Sequence, residues 1–219
     1  MSSTEIESCM SYFANNMINQ TKLYLDKFWL FEEEMYEVWI PLKDKIFKFP
    51  SLYEKERSCL DFFSSNFATY TITGGCLFSK KSYKNLTKIM KKMKEKYLII
   101  IEDYLNPNAP PHTDGPALHF KIPVGLKWSN FYIKELQICE ELIKRPVRNF
   151  FVFGDSGNWG KYIANDFEWP LEITGYSPEL KKIFKKHFYF PKKYRKDLLS
   201  ERSDCAEKII NEWNFLEKK

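Results

Sequence analysis

The run from Phe150 to Tyr162, FFVFGDSGNWGKY, constrains this chain more than any other. Four consecutive strand-forming residues (Phe150, Phe151, Val152, Phe153) suit a strand covered on both faces. Gly154-Asp155-Ser156-Gly157-Asn158 then breaks the pattern, and Trp159-Gly160-Lys161-Tyr162 resumes it. Asp, Ser and Asn bond back to their own backbone, and Gly or Asn accepts the left-handed conformation, so the break reads as a hairpin turn. With a third strand at 170–175, the spacing predicts an antiparallel meander over 150–153, 159–164 and 170–175.

Upstream, Phe67 to Thr73 is β-rich and Gly74-Gly75 ends it. A helix from Ser82 follows, with Leu86, Ile89, Met90, Met93 and Tyr97 as its buried stripe and Lys84, Lys88, Lys91 and Lys92 facing water. Tyr97 to Ile101 is a short, continuously apolar strand, so 67–101 reads as a β-α-β unit. Ala117 to Ile122 predicts another strand, with Ala117, His119 and Lys121 on one face. Further helices are expected over 4–19, from Ser51 to Phe63, over 129–144, from Pro178 to about His187, and from Ser203, the last burying Ala206, Ile209, Ile210, Trp213 and Leu216. Residues 22–39 fit either a helix (Phe28, Phe31, Met35, Val38) or a strand, closed by Pro41. The fold class is α/β or α+β. It is a single domain over 1–219 with a mixed central sheet, a C-terminal antiparallel meander and flanking helices. The proline-rich loop 106–116 is its one candidate boundary.

Charge narrows the functions available. The net charge of +5 is modest for 219 residues, but Lys80–Lys96 and Lys181–Lys196 are strongly basic and Glu32, Glu33, Glu34 and Glu37 form an acidic island. A lysine-rich outer face is an ordinary way to keep a helix soluble, and arginine, the better phosphate fork, is scarce in both runs. Nucleic-acid binding is therefore the alternative reading rather than the first. The acidic opening residues lack the basic start of a secretory leader, and no apolar run approaches a membrane span. Five widely spaced cysteines (Cys9, Cys59, Cys76, Cys139, Cys205) read as buried thiols in a reducing cytoplasm.

Candidate chemistry is sparse. Phe153-Gly154-Asp155-Ser156 after a hydrophobic strand resembles the first block of GDSL-type esterases, with Asn165-Asp166 echoing a later block, and Gly154-Asp155-Ser156-Gly157 overlaps the nucleophile motif of chymotrypsin-like proteases. A nucleophilic serine needs a histidine base and an orienting carboxylate. Only His187 lies downstream, and no Asp-x-x-His accompanies it. The serine hydrolase thus ranks last. Thr73-Gly74-Gly75 lacks the further glycines or lysine of a phosphate loop. His112, Asp114 and His119 have no zinc spacing. No metal, cofactor or catalytic residue is expected.

The segment from about Asn149 to Pro178 resembles bacterial toxin-immunity proteins of contact-dependent growth inhibition and polymorphic toxin systems. The shared pattern is a strand, Phe-Gly-Asp-Ser-Gly, Trp-Gly-Lys-Tyr, Asn-Asp, then Pro-Leu before another strand. It is more loosely similar to the SUKH superfamily. The resemblance implies a cytoplasmic, non-enzymatic inhibitor that binds one cognate protein toxin and occludes its active site. An inhibitor of that kind needs aromatic anchors among charges that select the partner. Phe31 to Trp39 has both, and its carboxylates suit the basic groove of a nuclease. The expected interface residues are Glu32, Glu33, Glu34, Tyr36 and Glu37, with Asp155, Ser156 and Asn158 of the turn.

Overall fold

The computed structural model describes residues 26–48, 62–73, 79–103, 118–131, 149–164, 171–187 and 192–218. The expected helix at 4–19, all but the last two residues of the helix expected from Ser51 to Phe63, most of 129–144, the loop 106–116, Gly74-Gly75 and Asn165-Asp166 lie outside them. So do all the cysteines but Cys205, which is buried. Phe63 itself is not helical but forms an isolated antiparallel bridge with Phe47.

Among the described residues six strands form one sheet: β1 (Ala68–Thr73), β2 (Tyr97–Glu102), β3 (His119–Pro123), β4 (Phe150–Gly154), β5 (Trp159–Ala164) and β6 (Leu171–Tyr176). Their spatial order is β1-β6-β5-β4-β2-β3. The meander falls where the sequence places it, within a residue at each end. Every pairing is antiparallel, which corrects the expected mixed sheet. The cause is topological. β1 and β2 flank a helix as in a β-α-β unit, but β4, β5 and β6 stand between them, so no parallel pair forms.

Register sorts the side chains into two faces. Tyr70, Thr174, Lys161, Val152, Ile100 and Phe120 form one row across all six strands. Thr71, Ile173, Tyr162, Phe151, Ile101 and His119 form the opposite row. Both rows are largely buried, which explains the nearly continuous apolar runs of the central strands.

Residues 28–48 and 62–63 cover the second face. They comprise α1 (Glu32–Glu34), a π-helical turn (Met35–Trp39) and α2 (Ile40–Ile46). Phe47 packs on Phe151 with ring centroids 4.9 Å apart, and Phe62 stacks on Tyr162 at 4.6 Å. Pro41 therefore does not close the helical segment; it sits in the first turn of α2, where a missing N–H is tolerated. The wider i→i+5 turn before it carries Val38 off the inner face and sets Trp39 inward, so Val38 is 48% exposed.

The first face is covered by α3 (Lys80–Lys92) and α5 (Lys181–His187), with the short α4 (Trp128–Phe131) beside α3. α3 begins two residues before the expected Ser82, because Ser79 and Ser82 form a reciprocal capping box. Phe184 of α5 stacks on Tyr176 at 4.8 Å and lies against Trp159.

Both sheet edges are closed. Trp29 bridges to Phe120, and the Leu30 N–H bonds the His119 carbonyl, along β3. Along β1 run α6 (Lys192–Glu201) and α7 (Ala206–Glu217). Trp213 Nε1 donates to the Thr71 carbonyl at 2.9 Å, and Thr69 Oγ1 donates to Glu212 at 2.6 Å. Such cover keeps an edge strand from pairing with another chain. The expected stripe of α7 holds at Ile209, Trp213 and Leu216, but Ile210 faces solvent. Among the described residues no helix is long and apolar enough to cross a membrane.

Candidate functional site

The turn between β4 and β5 is built around Glu95, the one acid in the lysine-rich run 80–96. Glu95 follows α3 and is buried. Its carboxyl accepts the Ser156 hydroxyl at 2.5 Å, the Ser156 N–H at 2.8 Å and Trp159 Nε1 at 3.0 Å. Asp155 reaches the other way, with Oδ1 accepting the N–H groups of Lys96 at 2.7 Å and Tyr97 at 2.9 Å. The turn and the α3–β2 junction thus cap one another.

Two glycines make this possible. A Cβ on Gly154 would fall 2.6 Å from both the Glu95 carboxyl carbon and Trp159 Nε1. Gly157 has φ +69°, where side chains are strained. A Cβ there would also lie 2.7 Å from Leu42 Cδ1.

That second contact joins the turn to α2. The sequence offers the acidic island and the turn as two separate candidates, more than a hundred residues apart; the fold sets them side by side. Tyr97, whose N–H Asp155 holds, packs edge-on against Trp39 at 6.5 Å. Lys121 lies over the rings of Tyr97 and Trp39 and pairs with Glu34 at 2.7 Å. Trp39 Nε1 bonds the same Glu34 oxygen at 2.9 Å. The outcome is one surface on a fixed frame.

The predicted residues divide by role. Glu32, Glu33, Tyr36, Glu37, Ser156 and Asn158 are exposed, Tyr36 to 52%. Glu34 is committed to Lys121 and Trp39, a pairing that offsets its burial and holds its carboxyl below the usual value. Asp155 is committed to backbone N–H groups, and Ser156 presents a hydroxyl already bonded to Glu95. Glu34 and Asp155 build the surface, while Ser156 is exposed on it with its hydroxyl already bonded. The sequence reading missed Glu95, although a lone acid among eight lysines was its visible signal.

Neither described histidine bonds the serine. His187 Nε2 lies 3.0 Å from Lys92, and His119 is buried, its Nδ1 against the Leu30 carbonyl. Among the described residues no group of His, Cys, Asp and Glu could hold a metal. Comparison with family models, with curated proteins and with solved structures returns no match.

Burial and the adjacent Asp155 push the Glu95 carboxyl up to about 7, despite the bonds from Ser156 that favour its charge. Between the ordinary value of 4.5 and about 7 the folded chain therefore holds a proton that the unfolded chain releases. This contribution is complete below pH 4.5 and is lost as pH rises through 7. Asp155 shifts the opposite way: burial alone would raise its pKa, but Glu95 and the backbone N–H groups lower it, so its contribution changes only in stronger acid. The Glu95→Gln variant should be less pH-sensitive than the parent from about pH 5 to 8, by roughly 2–3 kcal/mol. Urea midpoints across that range measure it, and parallel curves for parent and variant would remove Glu95 as the titrating group.

Proposed function

We propose that the chain is an immunity-type inhibitor that binds a basic protein toxin through the surface formed by α1, the π turn, α2 and the β4–β5 turn. The close approach of Gly157 to Leu42 carries the reading, because it sets the two candidate segments side by side. On that face the exposed Tyr36 and Val38 stand among Glu32, Glu33 and Glu37. Large side chains ringed by charge are what a docking hot spot requires, and carboxylates complement a basic active-site groove such as that of a nuclease. The π turn adds support, since such turns recur at functional positions. The rigid frame beneath, from Glu95 to Lys121, limits the ordering cost of association. A cytoplasmic site of action belongs to the same proposal.

Co-expression with the product of the neighbouring gene tests it. The parent should co-purify with that product and suppress its toxicity. Tyr36→Ala should weaken the complex by about 2 kcal/mol or more if it is an anchor. The triple reversal E32K/E33K/E37K should slow association and flatten its dependence on salt. Association kinetics equal to the parent's at every salt concentration would exclude this face.

A further inference from the structure

We infer that the paired outer faces of α3 and α5 form a second, separate docking surface, one that grips the phosphate backbone of a nucleic acid. The apolar side of α3 (Tyr83, Leu86, Ile89, Met90) is buried. Lys80, Lys84, Lys88 and Lys92 are exposed and repeat every fourth residue, one row along the helix. α5 packs beside it and adds exposed Lys182, Lys185 and Lys186, ending at His187. Neither helix contains an aspartate or glutamate.

The seam between the helices is where this becomes unusual. Lys92 Nζ lies 3.0 Å from His187 Nε2 across it. Burial first, then the charges of Lys92, Lys186 and Lys88, hold the His187 ring below its ordinary pKa, so all three lysines bear on one imidazole. Among the described residues no carboxylate pairs with Lys88, Lys92 or Lys186. Like charges four apart on a helix oppose its formation. Gathering more of them across a helix–helix contact opposes the packing too. An anion laid along the seam relieves both.

The chemistry of the face selects among polyanions. The exposed large apolar residues among those described are Tyr36, Val38, Tyr194, Ile210 and Phe215, and none belongs to α3 or α5. Phe215 of α7 borders α5, but Lys181 lies over its ring at 4.5 Å, so the two helices themselves offer charge rather than the apolar anchor that a protein hot spot or a membrane-inserting helix requires. Lysines act as point charges that hold phosphates without reading base edges. A 13-residue helix presents its row over about 20 Å. Several phosphates of a duplex fit along that length.

Fluorescence anisotropy with the full chain and a labelled 20-base-pair DNA tests this, over roughly 50–200 mM salt. The parent should bind, with log affinity falling linearly against log salt. K88E/K92E should lose tenfold or more in affinity and reduce the slope by about two phosphate contacts. K88Q/K92Q, which adds no charge, should fall between them, and circular dichroism should show both variants folded. E32K/E33K/E37K, on the other surface, should not weaken DNA binding. This separates failure here from failure of the inhibitor reading. No binding by the parent at the lowest salt, or undiminished binding by folded K88E/K92E, overturns the inference. So does binding to phosphatidylserine vesicles with none to DNA.

Discussion

Trp159→Ala is expected to remove about 3–5 kcal/mol of stability, a large part of what a domain of this size holds. The indole is fully buried, lies against Phe184, and gives its N–H to Glu95. Truncation would open a cavity under α5 and also take a donor from a buried carboxyl. Trp159→Phe separates the two effects. It keeps most of the ring volume while deleting the hydrogen bond, and should cost about 1–3 kcal/mol. Urea unfolding of both variants measures the difference. A Trp159→Ala midpoint equal to the parent's would mean that the indole is not part of the core.

Lys161→Met should be comparably damaging, for a different reason. Lys161 is buried at the centre of the sheet and its amine pairs with Glu172 on the neighbouring strand. Removing the cation leaves a buried carboxylate unmatched, at a cost of about 3–5 kcal/mol. The double variant K161M/E172L removes both charges of this pair together and should recover part of the loss, the rest belonging to the interactions Lys161 makes beyond Glu172. A double variant as unstable as Lys161→Met would show that those further interactions outweigh the pair with Glu172.

What could be read from sequence follows from how local each signal is. The meander announces itself, because apolar runs and a Gly-Asp-Ser-Gly-Asn reversal are adjacent in the chain. The insertion of three strands between β1 and β2 has no local signature, so the β-α-β reading of 67–101 gave the right elements with the wrong adjacency. Val38 misled because a 3.6-residue period cannot anticipate a π turn. The candidate face was legible in its parts, Glu32 to Glu37 and Asp155 to Asn158, but not as a whole. Joining them needs Leu42 against Gly157, and nothing in either segment names the other. Roles were hardest to read. Glu34 and Asp155 have the same residue type as displayed acids nearby, and their partial burial together with their partners (Lys121, the Lys96 and Tyr97 N–H groups) marks them as scaffolding.

The cover over β1 has a consequence for the order of assembly. Among the described residues β1 pairs within the sheet with β6 alone, from Ala68–Tyr176 to Thr73–Leu171, and its outer edge is closed by a helix that starts at Ala206. A ribosome moving at about 5–20 residues per second must therefore make roughly another hundred residues before β1 acquires a neighbour. It needs about thirty more before that edge is sealed. Closing such long loops makes folding slow as well as late. Thr69-Tyr-Thr-Ile-Thr73, β-prone and uncharged, spends that interval as an open template. The nascent chain is thus most exposed to misassembly in a segment that belongs to neither candidate binding face, and chaperone demand during synthesis should track β1 rather than the surfaces that meet a partner.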